Sequence, residues 1–116
     1  MRYEEKDLVR IAKRENNNKR SYLVVDPLQG KHVPVSPFKA LTLFSSLADK
    51  VREAYSEEKL LLVGFAETAT AIGAEIAVCL GAKYIQTTRE VIEGVEYLYF
   101  CLLYTSDAAD DRISVD

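Results

Sequence analysis

The sequence predicts an α/β fold with a partial parallel sheet, on two observations. Apolar residues recur at three- and four-residue steps over residues 37–55, which is the periodicity of a helix, and the alanine-rich stretch 70–80 is read as a second helix. Apolar runs typical of strands lie at 59–65 and 84–87, on either side of the second helix. Helical connections between successive strands favour parallel pairing, because a parallel pair needs a long crossover.

Composition excludes several classes of protein. The 116 residues carry 15 Lys+Arg and 18 Asp+Glu, and 48% are apolar, which suits one globular domain or part of one. No apolar run approaches the roughly 20 residues that span a bilayer, and the N-terminus is charged where a signal peptide would be apolar. Two cysteines make no disulfide framework. We therefore expect a cytoplasmic protein with no membrane or nucleic-acid partner.

The N-terminal third predicts one helix and a strand pair. Residues 4–14 are read as a short amphipathic helix, with its cluster of Lys and Arg as a solvated end. Strands are predicted at 21–26 and 31–35, joined by a turn at 27–30. Pro34 cannot donate to a ladder, so the second strand should lie on an edge. We expect this pair to form a small separate element at one end of the sheet.

The centre of the chain predicts the elements of the sheet. Ser36 and Pro37 favour a helix start as N-cap and first helical residue. The continuous run Leu60–Val63 is typical of a strand buried on both faces. Gly81 is the expected C-cap of the helix at 70–80, and Cys79 is expected to be buried within that helix. A turn at 91–94 and a strand from residue 96 complete the prediction.

The segment between the strand and the second helix is the candidate site. The first amides of a helix have no intrahelical acceptor, and the helix dipole there attracts anions such as phosphate. Thr68 and Thr70 could cap the helix and also donate to phosphate oxygens. A plain strand-to-helix turn explains the same pattern. Neither a G-x-G-x-x-G motif nor a Walker loop is present, and Glu67 adds a negative charge.

Four segments resemble a phosphoribosyltransferase-like family that bacteria encode beside tellurium-resistance and stress-response genes. They are residues 19–25, 30–37, 63–73 and 87–90. The resemblance implies a type I phosphoribosyltransferase fold with a Rossmann-like sheet. Residues 1–100 would be a truncated domain of this kind, with a hood at about 19–36 and a core at about 37–100. The implied reaction is transfer between phosphoribosyl pyrophosphate and a nitrogenous base, assisted by Mg²⁺, and a homodimer is an open alternative to a monomer.

The resemblance also implies binding residues, while no catalytic residue and no metal ligand is assigned. The pyrophosphate loop would consist of Ala66, Glu67, Thr68, Ala69 and Thr70. The residues expected to bind substrate are Lys31, His32, Thr88 and Arg89.

Two departures from the family pattern leave the activity open. No acidic pair followed by a Thr-Gly-Thr-like loop, which would hold the ribose phosphate, is present, and the usual basic residue of the pyrophosphate loop is replaced by Glu67-Thr68. We expect this chain to be inactive alone. The alternatives are a non-catalytic regulatory module that binds phosphate or a nucleotide, and a structural interaction domain.

The C-terminal segment resembles something other than a protein sequence. Residues 101–111 read Cys-Leu-Leu-Tyr-Thr-Ser-Asp-Ala-Ala-Asp-Asp, which matches a translated sequencing adapter. We therefore interpret residues 101–116 as an adapter-derived artefact. Without them acidic and basic residues are equal in number, so the formal charge of −3 would say nothing about partners. The alternative is a genuine strand with an acidic tail.

Overall fold

The computed structural model describes residues 2–99 and 112–115. The chain divides into two compact units, Met1–Leu47 and Ala48–Asp116. Each unit is described by itself below.

The first unit begins with a helix that is shorter than the sequence predicts. Helix α1 spans Glu5–Leu8, and a capping box between Glu4 and Asp7 sets its start. Strand β1 (Arg10–Lys13) then follows, so the predicted helix over 4–14 is wrong beyond Leu8. Val9 and Ile11 are β-branched, which favours extended backbone. Pairing with a distant strand supplies the hydrogen bonds that a longer helix would have made.

That distant strand is β2 (Tyr22–Val25), as predicted, but its partner is not the one expected. Strand β2 pairs antiparallel with β1, and Val24 lies opposite Ile11. Residues 31–35 form no strand, which corrects the predicted strand pair. The Asp26 carboxylate accepts a hydrogen bond from the Leu28 amide at 2.8 Å, and Gly30 has a φ of +77°. These local turns direct the backbone away from an extended conformation. In addition, Pro34 has no N–H to donate to a neighbouring strand.

Helix α2 spans Pro37–Ala54, as its periodicity predicts. Leu43, Phe44 and Ala48 are buried. Phe38, however, is 78% exposed. It is rotated by about 120° around the helix from Phe44, since each residue advances about 100°. The buried face is therefore narrower than the apolar pattern suggests.

The second unit contains the predicted strand–helix–strand element. Strand β3 (Leu61–Gly64) leads through a turn into helix α3 (Thr70–Leu80), which is followed by strand β4 (Lys83–Gln86). Strands β3 and β4 pair in parallel, and α3 packs against both. Gly81 ends α3 in the left-handed conformation with a φ of +62°, which confirms the predicted cap.

The exposure of β3 corrects the prediction that it is buried on both faces. Leu61 is 62% exposed and Val63 is 38% exposed, whereas Leu62 is half-buried and Gly64 is buried. This alternation follows from the pleat, because successive side chains point to opposite faces. Helix α3 covers one face, and the other is open to solvent.

A third pair of strands completes the described residues. Strand β5 (Glu96–Tyr99) begins where the sequence predicts, and it pairs antiparallel with β6 (Arg112–Val115). Strand β6 falls within the segment interpreted as an adapter artefact, whereas residues 101–111 lie outside the described residues. That interpretation stays a prediction.

The described strands form three two-stranded sheets, one of them parallel. A mixed α/β fold is therefore confirmed, and the wider Rossmann-like sheet stays a prediction. Within residues 2–99 and 112–115, no helix is both long and apolar enough to cross a bilayer.

Candidate functional site

The candidate site is the turn that joins β3 to α3 at the carboxyl end of the parallel pair. Residues 66–69 form this turn, and the Ala66–Glu67 peptide bond is cis. The Ala69 amide donates to the Phe65 carbonyl at 3.1 Å, and the Thr70 amide donates to the Glu67 carbonyl at 3.2 Å. The turn is thus closed by its own backbone at an edge where α/β folds commonly bind ligands.

A buried hydroxyl anchors the start of this turn. Thr87 follows β4 and is fully buried. Its Oγ1 accepts a hydrogen bond from the Ala66 amide at 2.7 Å, and its own amide donates to the Gly64 carbonyl at 2.9 Å. Thr87 therefore ties the ends of the two parallel strands together and fixes where the turn begins. No role for Thr87 is predicted from the sequence, although its place at a strand end beside the loop is a usable signal.

The ring of Tyr84 fixes how closely α3 approaches β3. A Cβ built on Gly73 would lie 2.9 Å from Tyr84 Cε2 and 3.4 Å from the Gly64 Cα, and a Cβ on Gly64 would collide with the Tyr84 hydroxyl. The hydroxyl donates to the Thr70 carbonyl at 3.2 Å. Burial raises the pKa of Tyr84, so the phenol stays protonated and keeps this hydrogen bond. With the ring of Tyr84 in this place, only glycine fits at both positions.

The N-cap position of α3 is not occupied by a threonine. The N-cap residue is Ala69, which makes no side-chain cap hydrogen bond, so the prediction of Thr68 or Thr70 as the N-cap residue is wrong. Thr70 is instead the first helical residue. The Thr70 backbone amide already has an acceptor within the turn. A capping hydroxyl would therefore have one unpaired amide fewer to bind at this helix end.

The amide groups that could meet an anion are therefore fewer than the loop sequence suggests. The amides of Ala66, Ala69 and Thr70 donate within the chain. Ala71 and Ile72 follow in the first turn of α3, where amides have no intrahelical acceptor. No acidic residue lies in that turn, so the positive end of the helix dipole is not offset there. The site can hold an anion at this helix end.

The other predicted residues lie in two places. Thr88 and Arg89 follow Thr87 directly and share the carboxyl edge with the loop; Arg89 is exposed, and the Thr88 hydroxyl accepts from the Glu90 amide at 3.0 Å. Lys31 and His32 are exposed in a bend of the first unit, whereas the loop belongs to the second.

Glu67 is the carboxylate of the loop and is exposed. Among the described residues, no group of three or more His, Cys, Asp or Glu side chains could hold a metal ion. A single carboxylate still fits Mg²⁺, because that ion is commonly bound by one or two carboxylates together with substrate phosphates. Any such ion would depend mainly on its ligand's phosphates.

Comparison with known proteins adds a family assignment to this geometry. No curated protein matches the chain, and no solved structure does. A family model described as phosphoribosyl transferase matches residues 8–105. The match takes in the turn, the parallel pair and most of both units, and it includes the first residues of the segment interpreted as an adapter. The chain therefore belongs to the phosphoribosyl transferase family.

Proposed function

We propose that this domain binds phosphoribosyl pyrophosphate and transfers its phosphoribosyl group between pyrophosphate and a nitrogenous base. The observation that carries the proposal is the β3–α3 turn, which presents a helix N-terminus at the carboxyl edge of a parallel pair in a chain of this family. Residues 66–70 and the first turn of α3 would hold the pyrophosphate. The family resemblance extends the proposal to a type I fold, a cytoplasmic protein and a setting beside tellurium-resistance genes.

The proposed chemistry is electrostatic. Pyrophosphate leaves with its bonding electrons as the ribose C1 gains positive character, so fixed positive partial charges at the leaving group stabilise the transition state. The amides of Ala71 and Ile72 and the dipole of α3 would supply such charge, and Thr87 would keep the turn in position before the ligand arrives. Preorganised groups of this kind need little rearrangement during the reaction.

Mg²⁺, when bound, would neutralise part of the pyrophosphate charge. Glu67, the exposed carboxylate of the loop, would contribute an oxygen ligand to it. Its carboxylate stands where the family usually has a basic residue. Glu67 would therefore contact the pyrophosphate through a bound Mg²⁺ and would repel the pyrophosphate when Mg²⁺ is absent. This predicts that phosphoribosyl pyrophosphate binds much more weakly when Mg²⁺ is absent.

Binding and charge at the helix end are tested by calorimetry with phosphoribosyl pyrophosphate and Mg²⁺. Ala71 is exposed in the first turn of α3. An acidic residue there stabilises the helix but repels an anion, so Ala71→Asp should weaken binding by about tenfold or more without loss of stability. Ala71→Lys should leave binding equal or tighter, and Ser45→Ala, on exposed α2 surface, should have no effect. Equal affinity for Ala71→Asp and the parent chain would contradict the proposed site.

A second candidate is a regulatory module that binds the same ligand without reaction. It is favoured by Glu67 in place of a basic residue and by the three turn amides that donate within the chain. Release of pyrophosphate in the presence of a panel of purine and pyrimidine bases separates the two. Release above the level of a chain carrying Ala71→Asp supports transfer, and binding without release supports the regulatory module.

A further inference from the structure

We propose that the open face of the β1–β2 pair is a docking surface for a second copy of this chain. This surface, called the ribbon face below, consists of Val9, Ile11, Lys13, Tyr22 and Val24. All five residues belong to the first unit, so the surface is defined within that unit alone. The proposal concerns association between chains and does not depend on the proposed phosphoribosyl transfer.

The centre of the ribbon face is apolar and exposed. Ile11 lies opposite Val24 in the ladder, and Lys13 lies opposite Tyr22. Ile11 is 74% exposed, Tyr22 61% and Val24 56%, whereas the residues that alternate with them on β2 are half-buried or buried. One face of the pair therefore packs within the unit and the other is open. Covering the open face with a second apolar surface would remove these side chains from water, which favours association.

The end of the ribbon face beside α1 is acidic. A groove of about 560 Å³ lies there, lined by Val9 and Ile11 together with Glu4, Glu5 and Lys6. The Lys6 Nζ lies 2.7 Å from a carboxylate oxygen of Glu4, so these two charges offset one another. The exposed carboxylate of Glu5 then gives this end one net negative charge.

The other end of the ribbon face is basic. Lys13 is the last residue of β1 and is exposed. Residues 14–21, which join β1 to β2, add three basic side chains and one acidic side chain. The apolar centre thus lies between a negative end and a positive end.

This distribution of charge makes the ribbon face complementary to itself. Two copies packed face to face about a two-fold axis that lies across the strands have antiparallel strands, so each acidic end meets a basic end. An axis along the strands would bring like charges together. Each strand has four residues, so the interface is small and we expect a dissociation constant of about 10 µM to 1 mM.

Sedimentation in a reducing buffer measures the dimer. Every chain carries Leu61→Thr and Val63→Thr, so that the open face of β3 does not contribute. We expect a monomer–dimer equilibrium that shifts toward monomer as salt rises. Ile11→Thr should weaken the dimer by about tenfold or more, because symmetry removes the contact twice. Val33→Thr, at an exposed apolar residue of the same unit outside the ribbon face, is the matched control.

Two outcomes of this measurement would overturn the proposal. One is a chain that stays monomeric at about 1 mM at low salt. The other is an equal dissociation constant for Ile11→Thr and Val33→Thr.

Charge reversal tests the symmetry. Glu5→Lys and Lys13→Glu should each weaken the dimer by about tenfold, because the two-fold axis places each reversal at both ends of the interface. An equal mixture of the two variant chains should dimerise as the parent chain does, since every lysine then meets a carboxylate again. One chain that carries both reversals should also dimerise as the parent does. Lys39→Glu, an exposed cation of the same unit outside the ribbon face, should have no effect.

The restored pairs make the test independent of the stability of one variant. Circular dichroism checks that each chain is folded, and a misfolded chain could not recover its affinity in the mixture. A dimer that becomes tighter in Glu5→Lys would show that like ends meet and that the antiparallel arrangement is wrong. If neither the mixture nor the doubly reversed chain recovers, the ribbon face is not the interface.

Discussion

Thr87 shows how one side chain can set the geometry of a loop from a neighbouring strand. Its hydroxyl is fully buried and accepts the Ala66 amide at 2.7 Å. A buried amide that loses its acceptor keeps its desolvation cost without compensation. The hydroxyl therefore matters more to the turn than an exposed threonine would.

Thr87→Val keeps the shape of the side chain and removes the acceptor. We expect it to destabilise the chain by about 1–3 kcal/mol, measured by urea unfolding. Thr87→Ser should recover most of this loss, since it restores the hydroxyl. Thr88→Val is the matched control, because its hydroxyl serves only a local hydrogen bond to the Glu90 amide. A Thr87→Val chain as stable as the Thr88→Val chain would contradict this role.

Cys79 is half-buried and not the fully buried residue that the sequence suggests. Burial raises the pKa of its thiol, and the Glu75 carboxylate, 3.7 Å from Sγ, raises it further. The folded chain therefore holds this proton more tightly than the unfolded chain does. The resulting stability is complete below the ordinary thiol pKa and is lost as pH rises through the folded value.

We expect the alkylation of Cys79 by iodoacetamide to rise with pH at a midpoint above that of the same thiol in a short peptide. The reactive form is the thiolate, so the rate follows the titration. Every chain in this measurement carries Cys101→Ser, so that Cys79 is the thiol that is alkylated. Glu75→Gln should lower the midpoint, and Glu57→Gln, an exposed carboxylate elsewhere, should not. Equal midpoints for the folded chain and the peptide would count against the raised pKa.

At the scale of elements, the β3–α3–β4 element depends on two glycines that face one tyrosine. Helix α3 can approach β3 because Gly73 and Gly64 leave room for the ring of Tyr84. Atoms added in such a closely packed layer lower the stability of the fold. The ring of Tyr84 could make room only by shifting, and a shift would break its hydrogen bond to α3.

We expect Gly64→Ala to destabilise the chain by about 1–3 kcal/mol through overpacking against the ring. Tyr84→Leu alone should also destabilise it. The chain that carries both Gly64→Ala and Tyr84→Leu should lose clearly less stability than the sum of the two single losses, because the smaller side chain removes the collision. Thermal unfolding of the four chains measures this coupling. Additive losses would mean that the methyl group and the ring do not meet.

The end of α3 offers a test of backbone conformation alone. Gly81 has a φ of +62°, and a Cβ there would meet nothing within 4 Å. Gly81→Ala should therefore cost about 1 kcal/mol through the left-handed conformation only. Gly81→Asn should cost less, because asparagine tolerates this region. Urea unfolding measures both, and an unchanged stability in Gly81→Ala would contradict the cap.

At the scale of the whole molecule, the second unit exposes apolar side chains on its open sheet face and beside the turn. Leu61, Val63 and Phe65 are all more than one-third exposed. A contiguous apolar strand that is open to solvent favours association between chains.

We expect the chain to bind a hydrophobic dye and to associate as its concentration rises. Leu61→Thr with Val63→Thr should reduce both effects while leaving stability within about 0.5 kcal/mol, because these side chains are already exposed. Leu62→Thr, on the half-buried face, is the contrasting control and should destabilise the chain instead. Sedimentation and dye fluorescence measure the outcome. A dye-free monomer at high concentration would show that the face does not promote association.

The sequence by itself determined the elements whose signals are local. The periodicity of α2, the strand–turn–helix pattern of β3 and α3, and the glycine that ends α3 are all set by neighbouring residues, and the structure confirms them. The same pattern located the loop of the candidate site before any fold was known.

Only the tertiary structure decided what depends on distant partners. Residues 10–13 became a strand because residues 22–25 pair with them, and residues 31–35 lost the strand role that their composition suggested. Whether Leu61 is covered and whether Thr87 meets the Ala66 amide likewise depend on residues far along the chain. Such contacts leave little local signal, because a hydrogen bond or a covering helix is supplied by another segment.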